Sequence, residues 1–281
     1  MESGQNAAIP VGKTRNTGAA ATRLADAAFG NQPGIWPLPA ATTSHQLWLR
    51  AVAAGGQGRY GCAYSDLEML RRRVAAGPVA SLAHSTQGSL LRQLGWHTLA
   101  RGWDGRALAL AGADPEARAD ALIGLAADAL GVGRLAAAQT LLTRAESLEV
   151  SERLAVRRLW VAAELAMAAG DGATAVRRAE EAVAQARAMT FASVRHQVKS
   201  DVVLAAALCS AGVVARARHV GLEALDATGR FGLIPLRWAV ACLLIDTGSV
   251  TVGPKQVREL TKIRDICAGQ VRRAGGSWRT A

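Results

Sequence analysis

The chain has 281 residues, half of them apolar, and a formal net charge of +11 that comes mostly from arginine. No uncharged apolar run reaches the roughly 18 residues that span a bilayer, and the first residues lack the basic and then apolar pattern of a secretory leader. The four cysteines lie far apart, which predicts free thiols in a reducing compartment rather than a disulfide framework or a metal centre. We therefore expect a soluble, cytoplasmic protein without membrane contact, bound metal or cofactor.

The N-terminal segment, residues 1–43, is rich in Gly, Ala, Asn, Thr and Pro. Three prolines (Pro33, Pro37 and Pro39) prevent a continuous helix near its end. We expect a flexible N-terminal tail, with a short helix at about residues 19–28. Ile35 and Trp36 are the residues expected to hold this tail against the helices that follow.

Glycines recur at a nearly constant spacing between residues 44 and 230. Each of the last four is followed by alanines five and twelve residues later, and the first keeps only the earlier alanine, Ala63. Alanine is common in this chain, so the glycine spacing is the stronger signal. A period of this length is typical of stacked helical repeats, in which each unit buries its apolar face on its neighbour. The glycines are Gly58, Gly95, Gly133, Gly170 and Gly212, separated by 37, 38, 37 and 42 residues.

The spacing of these small residues has a simple physical meaning. Two alanines seven residues apart lie on one helix face, two turns apart, and let the preceding helix approach closely. A glycine between two helices can adopt the left-handed backbone that ends one helix before the next begins. Runs of β-branched residues are scarce, so we predict an all-α fold. Its expected form is a right-handed α-solenoid of about five antiparallel helix pairs over residues 44–230, followed by C-terminal capping helices over residues 231–281.

The unit around Gly95 carries the clearest repeat pattern. Small or apolar residues stand at the positions where two helices and their turn must pack tightly: Gly88, Gly95, Ala100, Ala107 and Leu108. This pattern resembles the tetratricopeptide repeat, in the form appended to many bacterial regulators, and the resemblance covers about residues 44–226. The units are longer than the family's typical period of about 34 residues, which predicts helices about a turn longer. The resemblance implies that the first helix of each pair lines a concave groove that holds a partner.

Five residues are predicted to line this groove: Trp48, Arg92, Arg157, Trp160 and Lys199. The two tryptophans each lie ten residues before the glycine of their unit. Tryptophan and arginine supply much of the binding energy at protein interfaces, and an arginine beside an exposed ring can clamp a carboxylate or stack on a base. The alternative is that each tryptophan is a core residue between helices.

The last helix is predicted to begin at Pro254. Apolar residues recur along it at helical spacing and predict one buried face, formed by Val257, Leu260, Ile263, Cys267 and Val271. From residue 254 onward the chain carries seven basic and two acidic residues. The basic face is either the solvated side of a capping helix or a contact for an anionic partner such as nucleic acid. The candidate contacts are Lys255, Arg258, Lys262, Arg272 and Arg273.

No catalytic motif is recognisable, because the five histidines are scattered and no nucleophile and base stand at a known spacing. We predict a non-enzymatic scaffold or regulatory protein that binds a peptide or another protein in the concave groove. The alternative is a nucleic-acid-associated protein that uses the basic C-terminal helix and the groove arginines, although the positive charge can also be purely compositional. A third class is an enzyme whose site is assembled across helices. The partner, the oligomeric state and the occupancy of the groove by the N-terminal tail stay open.

Overall fold

The structure is a computed structural model and describes residues 12–248 and 253–279. Within these ranges the chain forms thirteen helices and no strand. Residues 1–11 of the expected tail, residues 249–252 of the loop before the last helix, and the final two residues lie outside the described part. None of the described helices combines the length and the apolar character that crossing a bilayer requires.

The helices in chain order are α1 (Gly12–Phe29), α2 (Ser44–Gly56), α3 (Tyr60–Arg73), α4 (Pro78–Gln93), α5 (His97–Leu110), α6 (Pro115–Gly131), α7 (Leu135–Glu146), α8 (Glu152–Ala168), α9 (Gly172–Ala188), α10 (Val194–Ser210), α11 (Val214–Arg230), α12 (Ile234–Gly248) and α13 (Pro254–Arg273).

Consecutive helices pack as pairs, beginning with α2 and α3, and each pair packs on the next. This arrangement confirms the predicted all-α solenoid. The C-terminal helices α12 and α13 pack on each other and on α11 like the earlier pairs, so the stacking continues to the end of the chain. We call the first helix of each pair an A helix and the second a B helix. The A helices are α2, α4, α6, α8, α10 and α12.

The turn between the two helices of a pair has the same construction throughout the array. The five predicted glycines lie between the two helices of a pair and have positive φ angles between 76° and 88°, and Gly232, between the fifth pair and the sixth, has a φ of 64°. The residue after each of these glycines donates its backbone N–H to the carbonyl five residues earlier, as Trp96 does to Leu91 at 3.0 Å. This bond is typical of a glycine-terminated helix. The predicted role of the glycines is therefore confirmed.

The paired alanines of the B helices are buried, as predicted. None of the eight is more than 2% exposed. Their methyl groups leave room for the neighbouring helices to pack closely, because a longer side chain at these positions would overfill the contact. The eight are Ala100, Ala107, Ala138, Ala145, Ala175, Ala182, Ala217 and Ala224.

The array curves until its last pair meets its first. The backbone N–H of Gly61 donates to the carbonyl of Ala274 at 2.8 Å, and the N–H of Arg279 donates to the carbonyl of Leu94 at 2.9 Å. The indole Nε1 of Trp96 donates to the carbonyl of Ser277 at 2.7 Å. These bonds join residues that lie 181 to 213 positions apart in the sequence. The A helices therefore lie on the inside of a closed ring.

Residues 18–43 differ from the flexible tail expected from the composition of the N-terminal segment. In α1, Leu24, Ala27 and Ala28 are at most 1% exposed, and α1 packs against α2 and α10. Downstream, the Gln57 side chain donates to the carbonyls of Pro33 and Ile35 at 2.9 and 3.0 Å. Short apolar side chains bury one face of α1 against the array, so residues 18–43 belong to the packed structure.

A pair of glycine substitutions tests the turn geometry. Gly133 has a φ of 77° and Gly105 lies inside α5, and a methyl group at either position would meet nothing within 4 Å. Gly133→Ala should lower the free energy of unfolding by about 1–2 kcal/mol because of its left-handed backbone. Gly105→Ala should raise it by about 0.5–1 kcal/mol because alanine favours a helix. Urea denaturation measures both, and a shift of the same sign in the two variants would contradict the turn assignment.

Candidate functional site

A chamber of about 400 Å³ lies inside the ring and is lined by residues of all six A helices. All five residues predicted to line the groove contribute to its wall: Trp48, Arg92, Arg157, Trp160 and Lys199. They come from α2, α4, α8 and α10. The structure thus brings together residues that are up to about 150 positions apart in the sequence, because the A helices converge. The volume falls in the range of small-molecule sites, roughly 300–1,000 Å³.

The two tryptophans are both packed between helices and exposed to the chamber. The Nε1 of Trp48 donates to the hydroxyl of Thr86 on the next A helix at 3.0 Å, and the Nε1 of Trp160 donates to the hydroxyl of Ser200 at 2.8 Å. Trp160 also stacks on the ring of His196, with centroids 5.3 Å apart. These contacts fix the ring orientations, so the chamber has rigid aromatic walls.

Arg92 is bound by two carboxylates of its own chain. Its Nε donates to Asp128 at 2.8 Å, and it forms a second ion pair with the buried Asp104. A methyl group at Gly88 or Gly124 would lie only 2.7 or 2.5 Å from an oxygen of Asp104, so both glycines are needed to admit this carboxylate. Arg92 therefore crosslinks α4, α5 and α6 as well as lining the chamber.

Arg92, Asp104 and Asp128 form a cluster with two carboxyl groups and one cation. Burial would lower the pKa of Arg92, but the two aspartates outweigh burial and raise it above its ordinary value. Burial raises the pKa of Asp104 well above its usual range, Arg92 acts against this, and the hydrogen-bonded neighbour Asp128 adds to it. Oδ1 of Asp104 and Oδ2 of Asp128 are buried and accept no hydrogen bond from the described residues. Asp104 thus binds a proton more readily than an exposed aspartate does.

A second set of ion pairs connects α6, α8 and α10. Arg153 pairs with Glu116 at 3.0 Å, and Arg157 pairs with Asp120, which also accepts a hydrogen bond from the Ser85 hydroxyl at 2.6 Å. Lys199 pairs with Glu164 at 3.3 Å. Three of the predicted groove cations, Arg92 included, are therefore neutralised by their own chain.

The electrostatic balance of the chamber is positive around α8 and α10. Burial and then the neighbouring Arg92 lower the pKa of Arg157 to about 10, and burial is also the main cause that lowers the pKa of Arg195 to about 10. Both guanidiniums stay charged near neutral pH. Burial and the charges of Arg195, Arg153 and Arg157 hold the pKa of His196 well below its ordinary value, so its imidazole is neutral.

Several lining residues escaped the sequence-based selection. The sequence pattern could have identified Arg153 and Arg195, because charged residues recur 17 and 13 residues before the turn glycine in three successive units. These pairs are Glu116 and Asp120 before Gly133, Arg153 and Arg157 before Gly170, and Arg195 and Lys199 before Gly212. Phe29 and Trp238 carried no such signal, because they lie outside the five repeats. The residues missed are Phe29, Arg153, Arg195, His196 and Trp238.

The basic C-terminal face lies apart from the chamber. The opposite face of α13 is buried through Leu260, Cys267 and Val271, as predicted, each at most 3% exposed. Lys262 forms an ion pair with Glu259 at 3.1 Å. The candidate anion contacts are all exposed: Lys255, Arg258, Lys262, Arg272 and Arg273.

The described residues show no arrangement suited to a metal. No group of three or more His, Cys, Asp or Glu side chains among them is placed to hold an ion. The four cysteines are free thiols. The chamber is lined by charged side chains, the imidazoles of His97 and His196, and aromatic rings.

The buried carboxylate pair generates a pH-dependent prediction. A folded-state pKa above the unfolded value means that the folded protein holds the Asp104 proton to higher pH, so wild-type stability falls as pH rises from about 4 through the folded pKa. Asparagine cannot ionise, so the unfolding free energy of Asp104→Asn relative to wild type should improve steadily from about pH 4 to pH 7. Urea titrations at several pH values measure this difference. The control is Asp226→Asn, at an exposed aspartate that pairs with Arg230. If the unfolding free energies of the two variants relative to wild type depended on pH in the same way, the raised pKa of Asp104 would be contradicted.

Comparisons with protein-family models and with curated proteins give no match for this chain. The resemblance to the tetratricopeptide repeat rests on the residues described above and stays a prediction.

Proposed function

We propose that the protein is a non-enzymatic, regulatory binding protein whose ligand enters the central chamber. The observation that carries this proposal is the convergence of the A helices, which places two fixed tryptophans and five cations around one cavity. A cavity with apolar walls and a few polar groups of defined orientation is the usual form of a ligand site. The absence of a recognisable nucleophile and base among the motifs of the sequence favours binding over catalysis.

The size of the chamber limits what it can hold. At about 400 Å³ it suits a small molecule, whereas an extended peptide needs a groove that is open at both ends. The ring is closed by contacts such as the one between Trp96 and Ser277. The peptide or protein partner expected from the repeat resemblance would therefore have to insert a chain end or a single side chain.

A regulatory role follows from where the ligand would sit. Residues of the first pair, such as Trp48, and of the fifth pair, such as Lys199, line the same chamber. A ligand that contacts both would stabilise the closed ring relative to any opened form, since a ligand shifts a conformational equilibrium toward the state that it binds better. Such a shift could be transmitted to a partner on the outer surface.

The nucleic-acid alternative is supported by one specific observation. Lys255, Arg258 and Lys262 are all exposed on α13. Successive residues of a helix are rotated by about 100°. By this rotation, these three residues together with Arg272 and Arg273 lie within an arc of roughly 100° on one face of α13. A row of this kind can follow a phosphate backbone.

Filling the chamber tests the proposed function. Ser89 lines the chamber from α4, so Ser89→Phe should place a ring in the cavity and weaken binding of the fluorescent probe 8-anilinonaphthalene-1-sulfonate at least tenfold. The matched control is Ser65→Phe, at an exposed position of α3, which should leave the affinity unchanged. Fluorescence titration measures both, and equal affinities in the two variants would show that the probe does not occupy the chamber.

A salt titration tests the alternative. If α13 follows a phosphate backbone, a short duplex DNA should bind at about 50 mM salt, with a log–log salt slope that drops by up to roughly 3 in the triple variant Lys255→Ala, Arg258→Ala, Lys262→Ala, since each lost phosphate contact removes about 0.9. The control removes the exposed Arg101, Arg134 and Arg144 instead. Absence of binding by wild type, or equal slopes in the two triple variants, would exclude this surface as a nucleic-acid contact.

A further inference from the structure

Arg195 differs from every other cation of the chamber. Its Nη1 donates a hydrogen bond to the backbone carbonyl of Val52, 3.1 Å away on α2. The four other cations that line the chamber form ion pairs with aspartate or glutamate, whereas no described carboxylate pairs with Arg195. A guanidinium carries five N–H donors. One bond to a neutral carbonyl therefore leaves most of this binding capacity unused.

The surroundings of Arg195 explain why no carboxylate compensates it. Arg195 stands at the same repeat position as Arg153, 17 residues before its turn glycine, so its counterpart on the preceding A helix is also a cation. The acidic residues at this position occur one unit earlier, as Glu116, and Glu116 pairs with Arg153. On the other side Arg195 faces the end of α2, whose helix dipole offers only partial negative charge. The chamber wall at α10 thus carries one guanidinium that no described carboxylate pairs with.

The wall beside this charge is aromatic. Trp160 stacks on His196, the residue that follows Arg195, at an interplanar angle of 25°. The ring of Phe29 lies 6.2 Å from His196 and 5.4 Å from Trp48, centroid to centroid. Flat rings in fixed orientations favour a flat apolar group over a bulky or charged one. The chamber therefore combines one free cation with planar apolar walls.

We infer that the guanidinium of Arg195 anchors a small organic monoanion, namely a carboxylate on a planar apolar body, in the central chamber. One uncompensated charge calls for one negative charge, and the planar carboxylate matches the fork of N–H donors on a guanidinium. A partly buried cation without a counter-ion is energetically unfavourable. Binding of an anion beside Arg195 would therefore be favourable. The inference rests on the proposed function, since it names the ligand class of the same chamber.

Two probes of equal shape test the charge requirement. 2-Naphthoate and 2-naphthamide share a flat ring system and differ in the negative charge. By isothermal titration calorimetry, wild type should bind the carboxylate at least tenfold more tightly than the amide. Arg195→Met should abolish this preference, whereas Arg144→Met, which removes an exposed cation of α7 outside the chamber, should retain it.

An internal carboxylate provides a second test that does not remove the arginine. A Cβ atom at Gly56 would lie 3.4 Å from Nη1 of Arg195, in ordinary contact distance. Gly56→Asp should therefore place a carboxylate beside the guanidinium and take the position of the ligand. Its matched control is Gly56→Asn, which has the same shape without the charge. Gly56→Asp should melt about 2–4 °C higher than Gly56→Asn and should lose the preference for naphthoate, which Gly56→Asn should keep.

The outcomes separate this inference from the proposed function. Equal binding of naphthoate and naphthamide to wild type, or equal behaviour of the Gly56→Asp and Gly56→Asn variants, would overturn the role of Arg195 and leave the chamber as a binding site. Absence of binding of both naphthalene probes would also overturn it. If 8-anilinonaphthalene-1-sulfonate also failed to distinguish the Ser89→Phe and Ser65→Phe variants, the proposed function would fall as well.

Discussion

Close approach of helices through small side chains is the constraint on which the rest of the structure depends. Ala100 and Ala182 have no exposed surface, and the glycines between paired helices hold a backbone conformation that other residues adopt only with strain. Because each step of the array repeats the last, small rotations between neighbouring pairs add up in one direction. Six pairs are enough to bring the first and last pairs together, and the first helices of the pairs become the wall of a central chamber.

The chemistry of the chamber follows from the same repetition. Equivalent positions on neighbouring A helices face one another, so the acids of α6 neutralise the bases of α8, as Asp120 does for Arg157. The equivalent positions of α10 are also basic. Arg195 has no acidic counterpart there and donates to the carbonyl of Val52 near the end of α2. The repeat thus accounts both for the ion pairs that stabilise the wall and for the charge that is left over.

Local features of the fold could be predicted from the sequence, and long-range features could not. Gly95 and Gly133 identify turns because a left-handed backbone selects glycine whatever lies around it. The contact between Trp96 and Ser277 joins positions that no periodic pattern relates, and it depends on the accumulated curvature of the whole array. The packing of α1 was missed because a few short apolar residues such as Leu24 bury it. Trp48 and Trp160 could be selected by their spacing, whereas the pairing state of each arginine depends on its neighbours in space.

Closure of the ring is the central claim, because an open solenoid would expose the A helices as a groove and leave no chamber. Small-angle X-ray scattering of the monomeric protein measures this directly. A closed ring should give a radius of gyration near that of a compact chain of this length, about 19 Å, with a symmetric distribution of interatomic distances. A clearly larger radius with a long tail of distances would show that the first and last pairs are apart in solution and would contradict the account.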